Sequence, residues 1–68
     1  MKTLAERIKS SRLKSGLSQV DLAAQTQLTQ QMISKLESGT SQSTSAILAI
    51  AKALNVSAHW LWLGKENP

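Results

Sequence analysis

The stretch Ser18-Gln19-Val20-Asp21-Leu22-Ala23-Ala24-Gln25-Thr26-Gln27-Leu28-Thr29-Gln30-Gln31-Met32-Ile33-Ser34-Lys35-Leu36-Glu37 decides the fold. Ser18 offers its hydroxyl to the amides that open a helix whose third position is Asp21, so Ser18 to Asp21 forms a capping box with Asp in place of the usual Glu. Leu22 and Ala23 are the inward stripe of that short helix. Thr26-Gln27-Leu28 then breaks the pattern, and Thr29 caps a second helix from about Gln30 to Glu37 with Ile33 and Leu36 buried and Met32 partly covered. A small residue such as Ala23 is what a steep crossing needs at its contact point. Two helices joined by so short a turn cross at about 90–120°, which turns the outer face of the second toward solvent. Gln30, Gln31, Ser34 and Lys35, related by three- and four-residue steps, share that face.

Working outward toward Met1, Leu4, Ala5, Ile8 and Leu13 recur near helical spacing, while Glu6, Arg7, Lys9, Lys14 and the serines take the other side. Gly16 supplies a positive-φ stop and Leu17 packs back. In the other direction Gly39 ends the second helix of the central stretch, and Thr40 to Thr44 is a polar loop. Ser45 to Leu54 presents Ile47, Ile50, Ala51 and Leu54 on one helical face, with Asn55 as a left-handed cap. Ser57 opens a last short helix through Ala58, Trp60 and Leu61, closed by Gly64. Strand signals are thin, since Val and Ile are scattered and no Asn-Gly or Asp-Gly turn separates alternating segments. The expectation is an all-α fold of five short helices around one core, a single domain over residues 1–68 with the central helix pair at about 18–37.

The chain has 68 residues, which fit one domain that buries only about 60% of its unfolded surface and leave little room for a large catalytic cleft. No cysteine is present, so stability rests on packing rather than on disulfides or thiolate metal sites. The longest nearly apolar stretch, Ser45 to Leu54, is interrupted by Lys52, and the Met1 end lacks a signal-peptide core. A cytoplasmic protein without a membrane partner is expected. Eight Lys and Arg against four Asp and Glu give a formal charge of +4 and a pI near 10.0, a balance that favours a polyanionic partner. His59 has no further ligand at metal spacing and reads as a surface histidine. Nothing resembles a nucleophile elbow, a P-loop or a metal cluster, so no enzyme, cofactor or small-molecule substrate is expected.

Arg12, Leu17, Gln19, Leu22-Ala23, Thr29-Gln30-Gln31, Ile33, Leu36-Glu37, Gly39, Ala53-Leu54, Val56-Ser57, Trp60-Leu61 and Gly64 together resemble the DNA-binding domains of the lambdoid-phage repressor and Cro family, nearest the 434 type. The resemblance spans about Leu4 to Gly64 and implies a lambda-repressor-like helix-turn-helix domain. It assigns base contacts to Gln30, Gln31 and Lys35, with Thr29 and Ser34 nearby, a phosphate contact to Gln19, and a partly buried ion pair to Arg12 and Glu37. Ser18, Ser38, Thr40 and Gln42 complete the expected backbone contacts. Side-chain chemistry agrees, because a glutamine amide can bond an adenine edge bidentately. Lys35 is placed to meet either a guanine edge or a phosphate. Two features depart from the family: Gln27 stands where its turn often has glycine, and the loop Thr40 to Thr44 is uncharged where the 434 type carries Lys and Arg.

The expected function is sequence-specific binding of operator double-stranded DNA by a two-fold homodimer, as a repressor domain or a Cro-like regulator of phage or prophage type. Dimerisation is expected to be weak without DNA and to use Ala58, Leu61 and Trp62. Trp60 reads as core, whereas Trp62, on another face, belongs either to that interface or under the C-terminal tail. An antitoxin-like protein-interaction module of the same fold is the alternative.

Overall fold

The structure, a computed structural model, describes residues 3–40 and 43–64. Among them lie the helices α1 (Leu4–Lys14), α2 (Gln19–Thr26), α3 (Gln30–Ser38), α4 (Thr44–Leu54) and α5 (Ala58–Leu63), with no strand. Each helix begins at a hydroxyl cap, Thr3, Ser18, Thr29, Ser43 or Ser57, whose side chain accepts from an amide of the first turn. Thr3 and Glu6 make a second reciprocal box at the start of α1, beyond the one expected at Ser18 and Asp21. Ser43 caps α4 one residue earlier than the loop reading placed its start. Asn55 and Gln27 adopt the left-handed conformation at φ 56° and 60°, as their places after α4 and α2 require.

One apolar cluster holds the helices together, with Ile8, Leu22, Ile33, Leu36, Ile47, Ile50 and Leu61 fully enclosed. Each such side chain contributes about 1.5–3 kcal/mol relative to an exposed one. Helix α3 packs on α1 and α2, α4 on α2 and α5, and α5 on α1. Every helix therefore meets at least two others, and the outer face of α3 is left to solvent. No described helix is long and apolar enough to cross a membrane.

The facing of α1 corrects the sequence reading. Leu13 is 58% exposed, while Arg7, Ser11 and Arg12 are buried. Five residues of helix separate Ile8 from Leu13, a rotation that carries Leu13 about 140° from the inward stripe. Ser11 and Arg12, at three and four residues from Ile8, take the inner positions instead, and no buried side-chain nitrogen or oxygen among the described residues lacks a hydrogen-bond partner.

The capping box on α2 carries a pH signature. The Ser18 amide donates to Asp21 Oδ2 at 3.0 Å, and this bond first, with the Ser18 hydroxyl second, holds the Asp21 carboxyl below the usual carboxylate value. A depressed folded-state pKa means that the box contributes in full above the unfolded value of about 3.9 and is lost as the pH falls through the lower folded value. The NMR titration midpoint of the Asp21 carboxyl should thus lie below that of an unfolded peptide, and Ser18→Ala should raise it. A midpoint at the peptide value in the wild type would remove the box from the account of α2.

Candidate nucleic-acid interface

The turn between α2 and α3 sets the attitude of the exposed face. Gln27, at φ 60° and ψ 25°, reverses the chain, and the Leu28 amide closes the end of α2 on the Ala23 carbonyl at 3.1 Å. Leu28 packs against the core, which fixes Thr29 as the cap whose hydroxyl accepts from the Met32 amide at 3.1 Å. Ile33 and Leu36 then anchor the inner side of α3, and Thr29, Gln30, Gln31, Ser34 and Lys35 are all exposed. Gln27 reaches its left-handed conformation at a modest steric cost that a glycine would not meet.

A chain of hydrogen bonds ties that face to α1. Arg12 Nε and Nη2 grip Glu37 Oε2 and Oε1 at 2.6 and 3.1 Å, and Arg12 Nη1 reaches the Leu17 carbonyl at 2.8 Å. The two side chains are only 8% and 4% exposed. The bond to Glu37 raises the pKa of Arg12 most strongly, against the opposing effect of burial. Gln19 Nε2 donates to Glu37 Oε1 at 3.2 Å, and Gln30 Nε2 donates to Gln19 Oε1 at 3.3 Å. One amide of the exposed face is therefore oriented by a bridge rooted between α1 and α3. Gln31 has no such tether among the described residues.

The expected residues fall into three groups. Thr29, Gln30, Gln31, Ser34 and Lys35 come together on one exposed surface, with Gln19 beside Gln30, and Ser18 is exposed at the start of α2. Ser38 and Thr40 follow at the end of α3, where the Ser38 hydroxyl donates to the Lys35 carbonyl and meets the Thr40 hydroxyl. Gln42 lies outside the described residues. Between α4 and α5, Ala58 and Trp62 line a groove with Ile47 and Leu48, and Trp62 is 37% exposed. Leu61, expected in a self-association patch with them, is fully buried in the core and is withdrawn from it. Helix α5 packs on both α1 and α4, so two successive positions, Trp60 and Leu61, turn inward, while His59, Trp62 and Leu63 face outward.

Lys9 was absent from the expected contacts. It shares a polar groove with Arg12, Gln19, Ser34, Glu37 and Ser38. The signal was present in the sequence, because Lys9 stands one helical turn before Arg12.

A helix-turn-helix family model matches residues 8–61. The chain is 42% identical over 64 residues to the HTH-type transcriptional regulators for the conjugative elements R391 of Providencia rettgeri and SXT of Vibrio cholerae, covering 94% of this chain and 30% of each relative. It thus spans less than a third of the length of those relatives. Among solved structures, the P22 c2 repressor in complex with synthetic operator 9T superposes with a TM-score of 0.88 at 27% identity, over 96% of this chain and 100% of that one. The restriction-modification controller protein C.AhdI of Aeromonas hydrophila superposes with a TM-score of 0.82 at 30% identity, over 87% of this chain and 91% of that one.

Proposed function

The chain belongs to the helix-turn-helix family, and from that premise we propose that it binds operator DNA sequence-specifically, as a two-fold dimer in the cytoplasm, and represses transcription by occupying a promoter. The observation that carries this reading is the exposed face of α3, where two adjacent glutamines, a serine and a lysine stand on a helix whose opposite side is locked into the core. Such a face matches the width of the major groove, and its amides match the donor and acceptor pattern of adenine. The resemblance to a repressor bound to its operator supports the same use of α3. Dimer half-sites would then lie about one helical turn, ~34 Å, apart.

Selection of bound duplexes from a random DNA pool, followed by titration of variants, tests this. Gln31→Ala should cost about 1–3 kcal/mol on the selected site, flatten preference at one base pair per half-site and hardly change binding to a scrambled duplex. Equal weakening on both duplexes would show that Gln31 does not read sequence. A pool that yields no preferred motif would refute operator recognition itself.

A further inference from the structure

Positive charge in this domain is sorted by location. Arg7 is buried, with its guanidinium on the carbonyls of Leu61 and Trp62, and Arg12 is gripped by Glu37. Lys14 lines a separate cleft with Leu54 and Trp60, and Lys52 stands with Gln25 and Gln27 between α2 and α4. Lys35 belongs to the exposed face of α3. The loop from Thr40 to Thr44 contributes no charge at all. Any further cation beside α3 among the described residues must therefore come from another helix.

We infer that Lys9 of α1 is a phosphate-binding residue of the DNA interface, supplying from the flank of α3 the positive charge that the loop after α3 lacks. The groove it shares joins three helices: Lys9 and Arg12 from α1, Gln19 from α2, and Ser34, Glu37 and Ser38 from α3. Arg12 and Glu37 neutralise each other there, so the net charge of the groove is that of the Lys9 ammonium. The serine hydroxyls and the Gln19 amide are neutral groups that can orient a phosphate oxygen but displace no counterion. Lys9 is exposed and its side chain can extend along the groove edge. This inference rests on the DNA-binding reading above and adds to it the source of its electrostatic component.

The test compares Lys9→Gln, Lys9→Arg and Lys14→Gln with the wild type, on the selected and scrambled duplexes across a tenfold range of potassium chloride. Each phosphate contact adds about 0.9 to the logarithmic salt slope, so over that range the wild type should lose about 8-fold more affinity per subunit than Lys9→Gln. The change should be equal on both duplexes. Lys9→Arg and Lys14→Gln should keep the wild-type slope, which separates loss of charge at this position from loss of net charge or of fold. A wild-type slope in Lys9→Gln, or an equal fall in Lys14→Gln, overturns the inference while leaving operator binding intact. A wild-type chain that binds neither duplex overturns both.

Discussion

Arg12→Met should destabilise the domain by about 3–5 kcal/mol, because it strands the Glu37 carboxylate in a site that is almost closed to water. An exposed pair would yield under about 1 kcal/mol on the same change. Three geometric facts place this bridge in the first class: two guanidinium nitrogens on two carboxylate oxygens, a third on the Leu17 carbonyl, and 8% and 4% exposure of the two side chains. For a chain of this size a loss of 3 kcal/mol lowers the thermal midpoint by about 12 °C or more. Urea denaturation of Arg12→Met, Glu37→Leu and the double variant is the measurement. Because the double variant leaves neither charge stranded, its loss should be smaller than the sum of the two single losses by at least about 1 kcal/mol. Strict additivity would return both residues to the surface.

The same bridge shows what sequence patterns reveal and what they hide. The Ser18–Asp21 capping box, the left-handed Asn55 and the inward Leu22, Ala23, Ile33 and Leu36 are local or periodic features, and such features are legible without coordinates. The pairing of Arg12 with Glu37 came from resemblance, since no helical period links residues on different helices. Gln19 was assigned to phosphate, and the structure adds a second task, that of holding Gln30 through Glu37. Two amide hydrogen bonds between α2 and α3 depend on distances that only the packed core sets.

In α1 and α5 the angle around the helix, not apolar character, decides which side chain lies inward. Leu13 falls only near helical spacing, and its step from Ile8 turns it out, while Arg7, expected on the outer side, lies inward. Leu61, expected in an interface, lies inside because a helix of six residues packed on two neighbours has inner positions on more than one stripe. The sites with most chemistry are thus those where a polar residue occupies an inner position, because burial there requires named partners. Among the described residues Arg7, Arg12 and the Glu37 side chain are charged groups of this kind.

Arg7 leads to the second large effect, at Gly64. Its Nε and Nη2 donate to the Leu61 and Trp62 carbonyls at 2.9 and 3.0 Å, so a buried cation sits on the last turn of α5, where the helix end is negative. Gly64 caps that turn at φ 73°, and a Cβ there would stand 2.7 Å from Arg7 Nη1. Gly64→Ala therefore meets two penalties. The left-handed backbone costs an alanine about 1–2 kcal/mol, and the guanidinium must shift off carbonyls to which each charged bond contributes about 1.5–3 kcal/mol. A total loss of about 2–4 kcal/mol is expected, since one of the two bonds can survive a small displacement. The contrast within the chain isolates the cause: Gly39 has φ 80° but no atom within 4 Å of its added Cβ, so Gly39→Ala should show the backbone cost alone. Denaturation of Gly64→Ala in the Arg7→Met background supplies the second control. With the guanidinium gone, the alanine should cost only about 1–2 kcal/mol, as at Gly39. If Gly64→Ala and Gly39→Ala are equally destabilising in the wild-type background, the close approach of Arg7 to Gly64 has no energetic consequence and the guanidinium keeps both carbonyl bonds when a Cβ is added.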